Sequence, residues 1–272
     1  MPNSELQKFS HFYQLSCEFK RQRNSQAAAG QNGRTDAKAW LKRFTGAERP
    51  SWLNGQRVAN LVCAMRNYRF TIQRDGHDLA SLCILIDAVA NQFNAQEIAN
   101  SLLALDQMGV RWDALPRGLA EKLWAAVDRN AETFNAQAIA NSLHAFAQMG
   151  VRWDALPGGL GDKLWAAVDR NAETFNAQNI ANTLLALDQM GVRWEVLPGG
   201  LGDKLWAAVD RHVEQFNAQG IANSLLALDQ MGVRWEALPG GLGEKLWAAV
   251  DRNAETLNAQ NIANSLLALA QM

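Results

Sequence analysis

Apolar and polar positions recur along this chain with a period of 41 residues. The string FNAQ begins at positions 93, 134, 175 and 216, and LNAQ begins at position 257. A more divergent copy, LNGQRVANLVCAM, begins 40 residues before the first of these. Such self-similarity indicates a repeat protein. The predicted organisation is a degenerate first repeat (50–92), four complete repeats (93–133, 134–174, 175–215 and 216–256) and a shortened fifth repeat (257–272).

The first half of each repeat, NAQxIANSLLALDQMG, has the spacing of an amphipathic helix. Ile98, Leu102 and Leu105 fall at i, i+4 and i+7, which places them on one apolar face. Asn94 is a good N-cap residue, and Glu97 three positions later completes a capping box in this copy only. The glycine that follows the helix is a typical C-terminal residue.

The second half of each repeat predicts another helix, from about Leu119 to Ala131 in the first complete repeat. Two helices of this length are unstable alone in water, so each must bury its apolar stripe against neighbouring helices. Helical repeats of about 40–47 residues belong to the HEAT and armadillo size class. We therefore expect an all-α fold, a right-handed α-solenoid of stacked two-helix repeats that resembles HEAT and armadillo proteins.

Tryptophan recurs at two positions of each repeat. Aromatic side chains either fill the gaps between helix layers or provide platforms on which nucleotide bases stack. The tryptophans of the second helix (the second-helix register) are predicted to be core. For those of the linker (the linker register), packing and base stacking both remain possible, because an arginine adjoins each of them. The linker positions are Trp112, Trp153, Trp194 and Trp235, and the second-helix positions are Trp124, Trp165, Trp206 and Trp247.

Three sets of polar or variable positions are candidate partner contacts. The asparagines of the first helix form either a hydrogen-bonded ladder between repeats or a ligand surface, because a buried polar residue needs a partner. They are Asn100, Asn141, Asn182, Asn223 and Asn264. The most variable site is either a reading position of a modular binder or an exposed site that drifts freely. It is occupied by Glu97, Ala138, Asn179, Gly220 and Asn261. The linker arginines Arg111, Arg152, Arg193 and Arg234 supply positive charge.

The segment before the repeats differs in charge and composition. Residues 1–92 contain 13 Lys and Arg against 7 Asp and Glu, whereas residues 93–272 contain 13 against 20. Residues 1–49 show no repeat and are predicted to be partly disordered. The polar stretch 24–34 is interpreted as a flexible linker, and 37–44 as a short helix that caps the first repeat. Because the fifth repeat is incomplete, we expect a longer parent protein.

Nothing in the sequence predicts catalysis, a metal site or a small-molecule cofactor. The four histidines are scattered, and the repeated GGLGDK lacks the GK[ST] ending of a phosphate-binding loop. Cys17, Cys63 and Cys83 are odd in number and lack metal-ligand spacing, which favours a reducing, cytoplasmic environment. No run approaches the roughly 18 apolar residues of a membrane span, and no cleaved signal peptide begins the chain. A monomeric, non-enzymatic binding protein is expected.

The first-helix core resembles two known repeat families. Gln96, Ile98, Ala99, Asn100 and Leu105 match the core of octatricopeptide repeats, which implies a single-stranded RNA ligand. The segment 178–187, QNIANTLLAL, is similar to the SKWP-type repeats of bacterial type III effectors, although GVRW stands where their name-giving tetrapeptide is expected. That resemblance implies a scaffold that binds a host protein after secretion without a cleaved signal. The alternatives are therefore a host protein partner and an RNA partner.

Overall fold

The structure is a computed structural model that describes residues 2–21 and 27–272, and these residues form thirteen α-helices and no strand. Within each of the two compact units described below, successive helices pack in chain order, so the predicted all-α solenoid class is confirmed. The helices are α1 (Pro2–Arg21), α2 (Ala27–Thr45), α3 (Gly55–Asn67), α4 (Ile72–Val89), α5 (Ala95–Gln107), α6 (Arg117–Asn130), α7 (Ala136–Gln148), α8 (Leu160–Asn171), α9 (Ala177–Gln189), α10 (Leu201–His212), α11 (Ala218–Gln230), α12 (Leu242–Arg252) and α13 (Ala259–Gln271).

The chain divides into two compact units, Met1–Asn130 and Ala131–Met272. In the first unit, α1 and α2 pack against α3 and α4, and α3 lies beside α5. An aromatic cluster joins the first two helices, with the Phe9 ring centroid 5.1 Å from those of both Trp40 and Phe44. The two N-terminal helices therefore cover the degenerate first repeat, as the sequence predicted for residues 37–44.

The predicted flexible linker is wrong for residues 27–34, which belong to α2, and residues 24–26 lie outside the described residues. The glycines that suggested flexibility are packing residues. A side chain at Gly33 would overlap the Tyr68 ring, and one at Gly30 would lie 3.0 Å from the Phe19 ring. Glycine is needed there because helices α1 and α2 and the end of α3 approach closely.

In the second unit, the first helices α7, α9, α11 and α13 lie side by side, and each second helix packs on its own first helix. The core contains fully buried aliphatic residues such as Leu164, Ile180 and Leu187. Helices α7, α9 and α11 are each followed, after one methionine, by a glycine with positive φ, such as Gly191 at 82°. This left-handed conformation strains other residues.

Consecutive repeats of the second unit are joined by backbone hydrogen bonds. The Trp153 amide donates to the Met190 carbonyl at 2.9 Å, and the Trp194 amide donates to the Met231 carbonyl at 3.0 Å. These carbonyls close the ends of α9 and α11, where helix carbonyls otherwise lack partners. The linker of one repeat therefore caps the first helix of the next repeat.

Candidate partner-binding site

One polar stripe lies on the outward side of each first helix in the second unit. Its residues fall at i, i+4, i+7 and i+11, a helical spacing that places them on one side. We call these residues the first-helix face. It comprises Gln137, Asn141, His144 and Gln148 of α7, Gln178, Asn182, Leu185 and Gln189 of α9, and Gln219, Asn223, Leu226 and Gln230 of α11, all of them partly or fully exposed.

Hydrogen bonds between neighbouring helices show that these stripes adjoin. Gln148 Nε2 donates to Gln189 Oε1 at 2.6 Å. The Gln230 amide nitrogen, turned toward the carboxylate, donates to Asp188 Oδ2 at 2.8 Å. Equivalent residues therefore form four continuous rows across the repeats: two glutamine rows, one asparagine row between them, and one apolar row that has His144 in α7.

The asparagine row contradicts the hydrogen-bonded ladder that the sequence suggested. Asn141, Asn182 and Asn223 are half-buried, yet their side-chain amides make no hydrogen bond to any described part of the chain. Asn100 in the first unit is half-buried in the same way. Each amide keeps two donor hydrogens and an acceptor oxygen. One unused amide per repeat, on an accessible surface, is the feature that a partner can bind.

The charged residues beside this face, on the first helices of the second unit, are all acidic. Helices α7, α9, α11 and α13 contain no Lys or Arg, and their only charged side chains are Asp188 and Asp229. Burial, and secondarily the charge of Asp229, raises the pKa of Asp188 to about 6. Burial also raises the pKa of Asp106, the equivalent residue of α5, to about 6. These carboxylates lack a neutralising cation strong enough to offset their desolvation.

The variable position of the predicted reading ladder lies inside the fold at three of its five copies. Ala138, Asn179 and Asn261 are 5%, 7% and 8% exposed. The position is the third residue of each first helix, where the backbone amide donates to the N-cap asparagine. Glu97 and Asn179 both complete capping boxes, so this box is not confined to one copy. The expectation of an accessible side-chain ladder is therefore wrong for these three residues, whereas Glu97 and Gly220 are partly exposed.

The linker arginines are exposed, and three of them have structural roles at repeat junctions. Arg193 Nη1 donates to the Gln230 carbonyl at 3.0 Å, and Arg234 Nη1 donates to the Gln271 carbonyl at 3.1 Å. A side chain at Gly191 would overlap the Arg152 guanidinium. A cation at a helix C-terminus is also favoured by the helix dipole. Arg111, in the first unit, is likewise exposed and has an interaction partner.

The two tryptophan registers stack on each other. Ring centroids are 3.9 Å apart in Trp153–Trp165 and 4.2 Å apart in Trp194–Trp206. The first of these pairs also packs, partly buried, against Leu187 of the following repeat. For these two pairs the contacts favour the core interpretation, because the rings fill space between helix layers. The prediction that the second-helix register is core is wrong for Trp247, whose side chain is 56% exposed.

The second helices carry most of the positive charge of the second unit, and they use it between repeats. Lys204 Nζ lies 2.7 Å from Asp169 Oδ2, and Lys245 Nζ lies 2.6 Å from Asp210 Oδ1. Arg170 Nη2 donates to the Ala131 carbonyl at 2.9 Å. The charged side chains of the second helices are therefore used in contacts between repeats, whereas on the first-helix face only glutamines make such contacts and the asparagines do not.

No group of His, Cys, Asp and Glu suited to a metal ion occurs among the described residues. His144 stands alone on the first-helix face, and burial lowers its pKa. Within residues 2–21 and 27–272, no helix is both long and apolar enough to cross a membrane.

The fold and the repeated surface define a helical repeat protein of the α-solenoid class. The chain belongs to the family described as "Protein of unknown function (DUF1601)", whose model matches residues 85–102, 108–143, 149–184, 190–225 and 231–266. Each of the last four matches spans a linker, a second helix and most of the following first helix. No curated protein matches the chain.

The sequence predicted the asparagine row but missed the apolar row and the carboxylates beside it. Leu185 and Leu226 follow Gln178 and Gln219 at i+7, and Asp188 and Asp229 recur three residues later, so the sequence does contain this outward period. It is a weaker signal than the apolar period of the core, because it mixes polar, apolar and charged residues.

Proposed function

We propose that this chain is a non-enzymatic binding scaffold that engages a polypeptide partner through its first-helix face. The unused amides of Asn182 and Asn223 carry the proposal. Because these amides are accessible and bond to no described residue, a bound ligand can take up their hydrogen-bonding groups in place of water. Because the amide both donates and accepts, it complements the peptide group of a protein chain.

The charge of the face favours a polypeptide over RNA. Nucleic acid is bound largely through Lys and Arg that neutralise phosphates, whereas the first helices of the second unit contain neither. The linker arginines Arg193 and Arg234 already bond to helix ends, and the adjacent Asp229 offsets the positive charge of Arg234. The carboxylates of Asp188 and Asp229 attract a basic segment of a protein.

The resemblance to type III effector repeats supports a further proposal, that the partner is a host protein met after secretion. The polar and acidic repeat surface is compatible with this role. The proposal of a scaffold does not depend on it, because the first-helix face offers the same chemistry to any polypeptide.

A binding selection on the intact chain tests the scaffold proposal. The immobilised protein is offered a random library of unstructured 20-residue peptides and, separately, a pool of random single-stranded 20-nucleotide RNA at 150 mM salt. We expect selected peptides with net positive charge, and their loss in the double variant Asn182→Ala, Asn223→Ala. Alanine preserves the helices because it has the highest helix propensity.

The matched control is Glu195→Gln with Glu236→Gln, two exposed linker residues outside the first-helix face. This control should retain the selected peptides. Selection of RNA without peptides would refute the proposal and establish the alternative partner. Selection of peptides that survives the double asparagine variant would place the site elsewhere on the molecule.

A further inference from the structure

The rows of the first-helix face are nearly uniform along the second unit. The asparagine row repeats without change through Asn141, Asn182, Asn223 and Asn264, and the two glutamine rows are equally constant. A face that discriminates different side chains at successive sites needs different residues at those sites. A uniform row instead matches a ligand whose own chemistry repeats, and the main chain of a polypeptide is such a ligand.

The spacing of the rows selects a main-chain conformation. Packed helices lie about 8–10 Å apart, so consecutive asparagines of one row are separated by about that distance. A β-strand presents the same side every two residues, about 6.7 Å. A polyproline II helix presents the same side every three residues, about 9.3 Å. The polyproline II period agrees with the spacing of the helices, whereas the β-strand period is too short.

Polyproline II also leaves its peptide groups available. It has no internal hydrogen bonds, and its carbonyl oxygens point outward where an amide donor can reach them. Asn182 and Asn223 have unused donor hydrogens. One carbonyl per turn can therefore accept a hydrogen bond from each asparagine of the row.

The side chains of such a ligand meet chemically distinct rows. With three residues per turn, side chains point in three directions: one toward the apolar row at Leu185 and Leu226, one toward the carboxylates Asp188 and Asp229, and one into solvent. The structure holds these carboxylates close enough that the charge of Asp229 opposes ionisation of Asp188. A cationic side chain would relieve that repulsion.

We propose that the first-helix face of the second unit binds a basic segment in the polyproline II conformation, with the asparagine row bonded to its carbonyl groups. The occupant is a proline-rich polypeptide with Lys or Arg every third residue. This inference rests on the proposed function, because it specifies the conformation and charge of the polypeptide bound there.

Fluorescence anisotropy with three labelled 12-residue peptides tests the inference on the intact chain. The peptides are (Pro-Pro-Arg)4, the flexible (Gly-Gly-Arg)4 with the same charge, and (Pro-Pro-Glu)4 with reversed charge. We expect (Pro-Pro-Arg)4 to bind at least about tenfold more tightly than (Gly-Gly-Arg)4, because it is already ordered. No binding of (Pro-Pro-Glu)4 is expected.

Variants assign the contacts. Asn182→Ala with Asn223→Ala should weaken (Pro-Pro-Arg)4 by about tenfold or more through two lost hydrogen bonds. Asp188→Asn with Asp229→Asn should weaken the same peptide and reduce its salt dependence. Glu195→Gln with Glu236→Gln removes equal charge elsewhere and should change affinity less than about twofold.

Two results would overturn the inference without touching the scaffold proposal. Equal affinity for (Pro-Pro-Arg)4 and (Gly-Gly-Arg)4 would mean that charge alone is recognised. Absence of (Pro-Pro-Arg)4 binding by a chain that selects other peptides from the random library would mean that a different conformation is bound. Failure of the library selection itself would refute the scaffold proposal.

Discussion

His212 interrupts a hydrogen-bonding position that asparagine occupies in the other complete repeats. Asn171 Nδ2, at the end of α8, donates to the Phe134 carbonyl at 2.9 Å and to the Ala167 carbonyl at 2.8 Å. Asn253 makes the equivalent pair of bonds two repeats further along the chain, in repeat 216–256. His212 Nδ1 instead lies 3.1 Å from Gln215 Oε1. Restoring asparagine with His212→Asn should therefore stabilise the protein.

The magnitude follows from the bonds that asparagine makes at the equivalent site. One bond is to the same helix and the other fastens the second helix to the start of the first helix. A typical intramolecular hydrogen bond contributes about 0.5–1.5 kcal/mol net, and the lost Gln215 contact offsets part of the gain. We expect about 1 kcal/mol, which corresponds to roughly 2–4 °C in Tm for a unit of this size. Backbone strain does not contribute to the expected change in stability, because His212 and Asn171 both have negative φ values.

Thermal and urea denaturation of the intact chain measure the change, with two variants as references. His212→Ala removes the ring without adding the bonds and should not raise Tm. Asn171→His makes the opposite exchange at a residue only 8% exposed, and should cost about 1–3 kcal/mol because buried carbonyls lose a donor. An equal gain from His212→Ala and His212→Asn would show that removal of histidine, and not the asparagine bonds, is responsible.

Three further changes test the packing and electrostatics of the second unit. Leu164→Ala, at a fully buried side chain, should cost about 2–5 kcal/mol in urea denaturation; a loss below 1 kcal/mol would contradict its core position. Thr183→Val should leave stability unchanged or raise it by about 1 kcal/mol in the same assay, because the buried Thr183 hydroxyl has no partner among the described residues. For Asp188, the folded-state pKa of about 6 exceeds the ordinary 3.8, so the folded chain binds more protons between these values. The free energy of unfolding should therefore rise as pH falls from 7 to 4, and Asp188→Asn should flatten that rise; an unchanged pH profile would refute the assignment.

The repeat architecture was predictable because local and tertiary constraints agree. The 41-residue period, the i, i+4, i+7 apolar spacing and the glycine after each first helix all specify the same two-helix unit. Stacking follows, since neither helix can bury its stripe alone. Helix α2 was not predictable in the same way. Its glycines look like linker residues until Tyr68 and Phe19 are known to pack against them, and such contacts are distant in sequence.

The candidate site was predicted in part, and the error has a physical cause. Variation at positions such as Ala138 and Asn179 suggested exposure, but the third residue of a helix faces its own N-cap. Capping tolerates several residue types there because the backbone amide supplies one of the two capping bonds. The variation at this position therefore shows that the first turn of the helix accepts several residue types, and it does not show that the side chain is exposed. The constant asparagines, which duplication alone could explain, are the ones with unused hydrogen-bonding groups.

In the second unit, the polar groups of the second helices and those of the first helices are used differently. On the second helices, Lys204, Lys245 and Arg170 bond to the preceding repeat, so their charges are committed within the protein. On the first helices, the amides of Asn182 and Asn223 have no such bonds to the described residues. Alanine at the same positions would favour the helix more strongly, because it has the highest helix propensity. The asparagine amides therefore add little to the stability of the stack, and their accessible hydrogen-bonding groups are what the scaffold proposal uses.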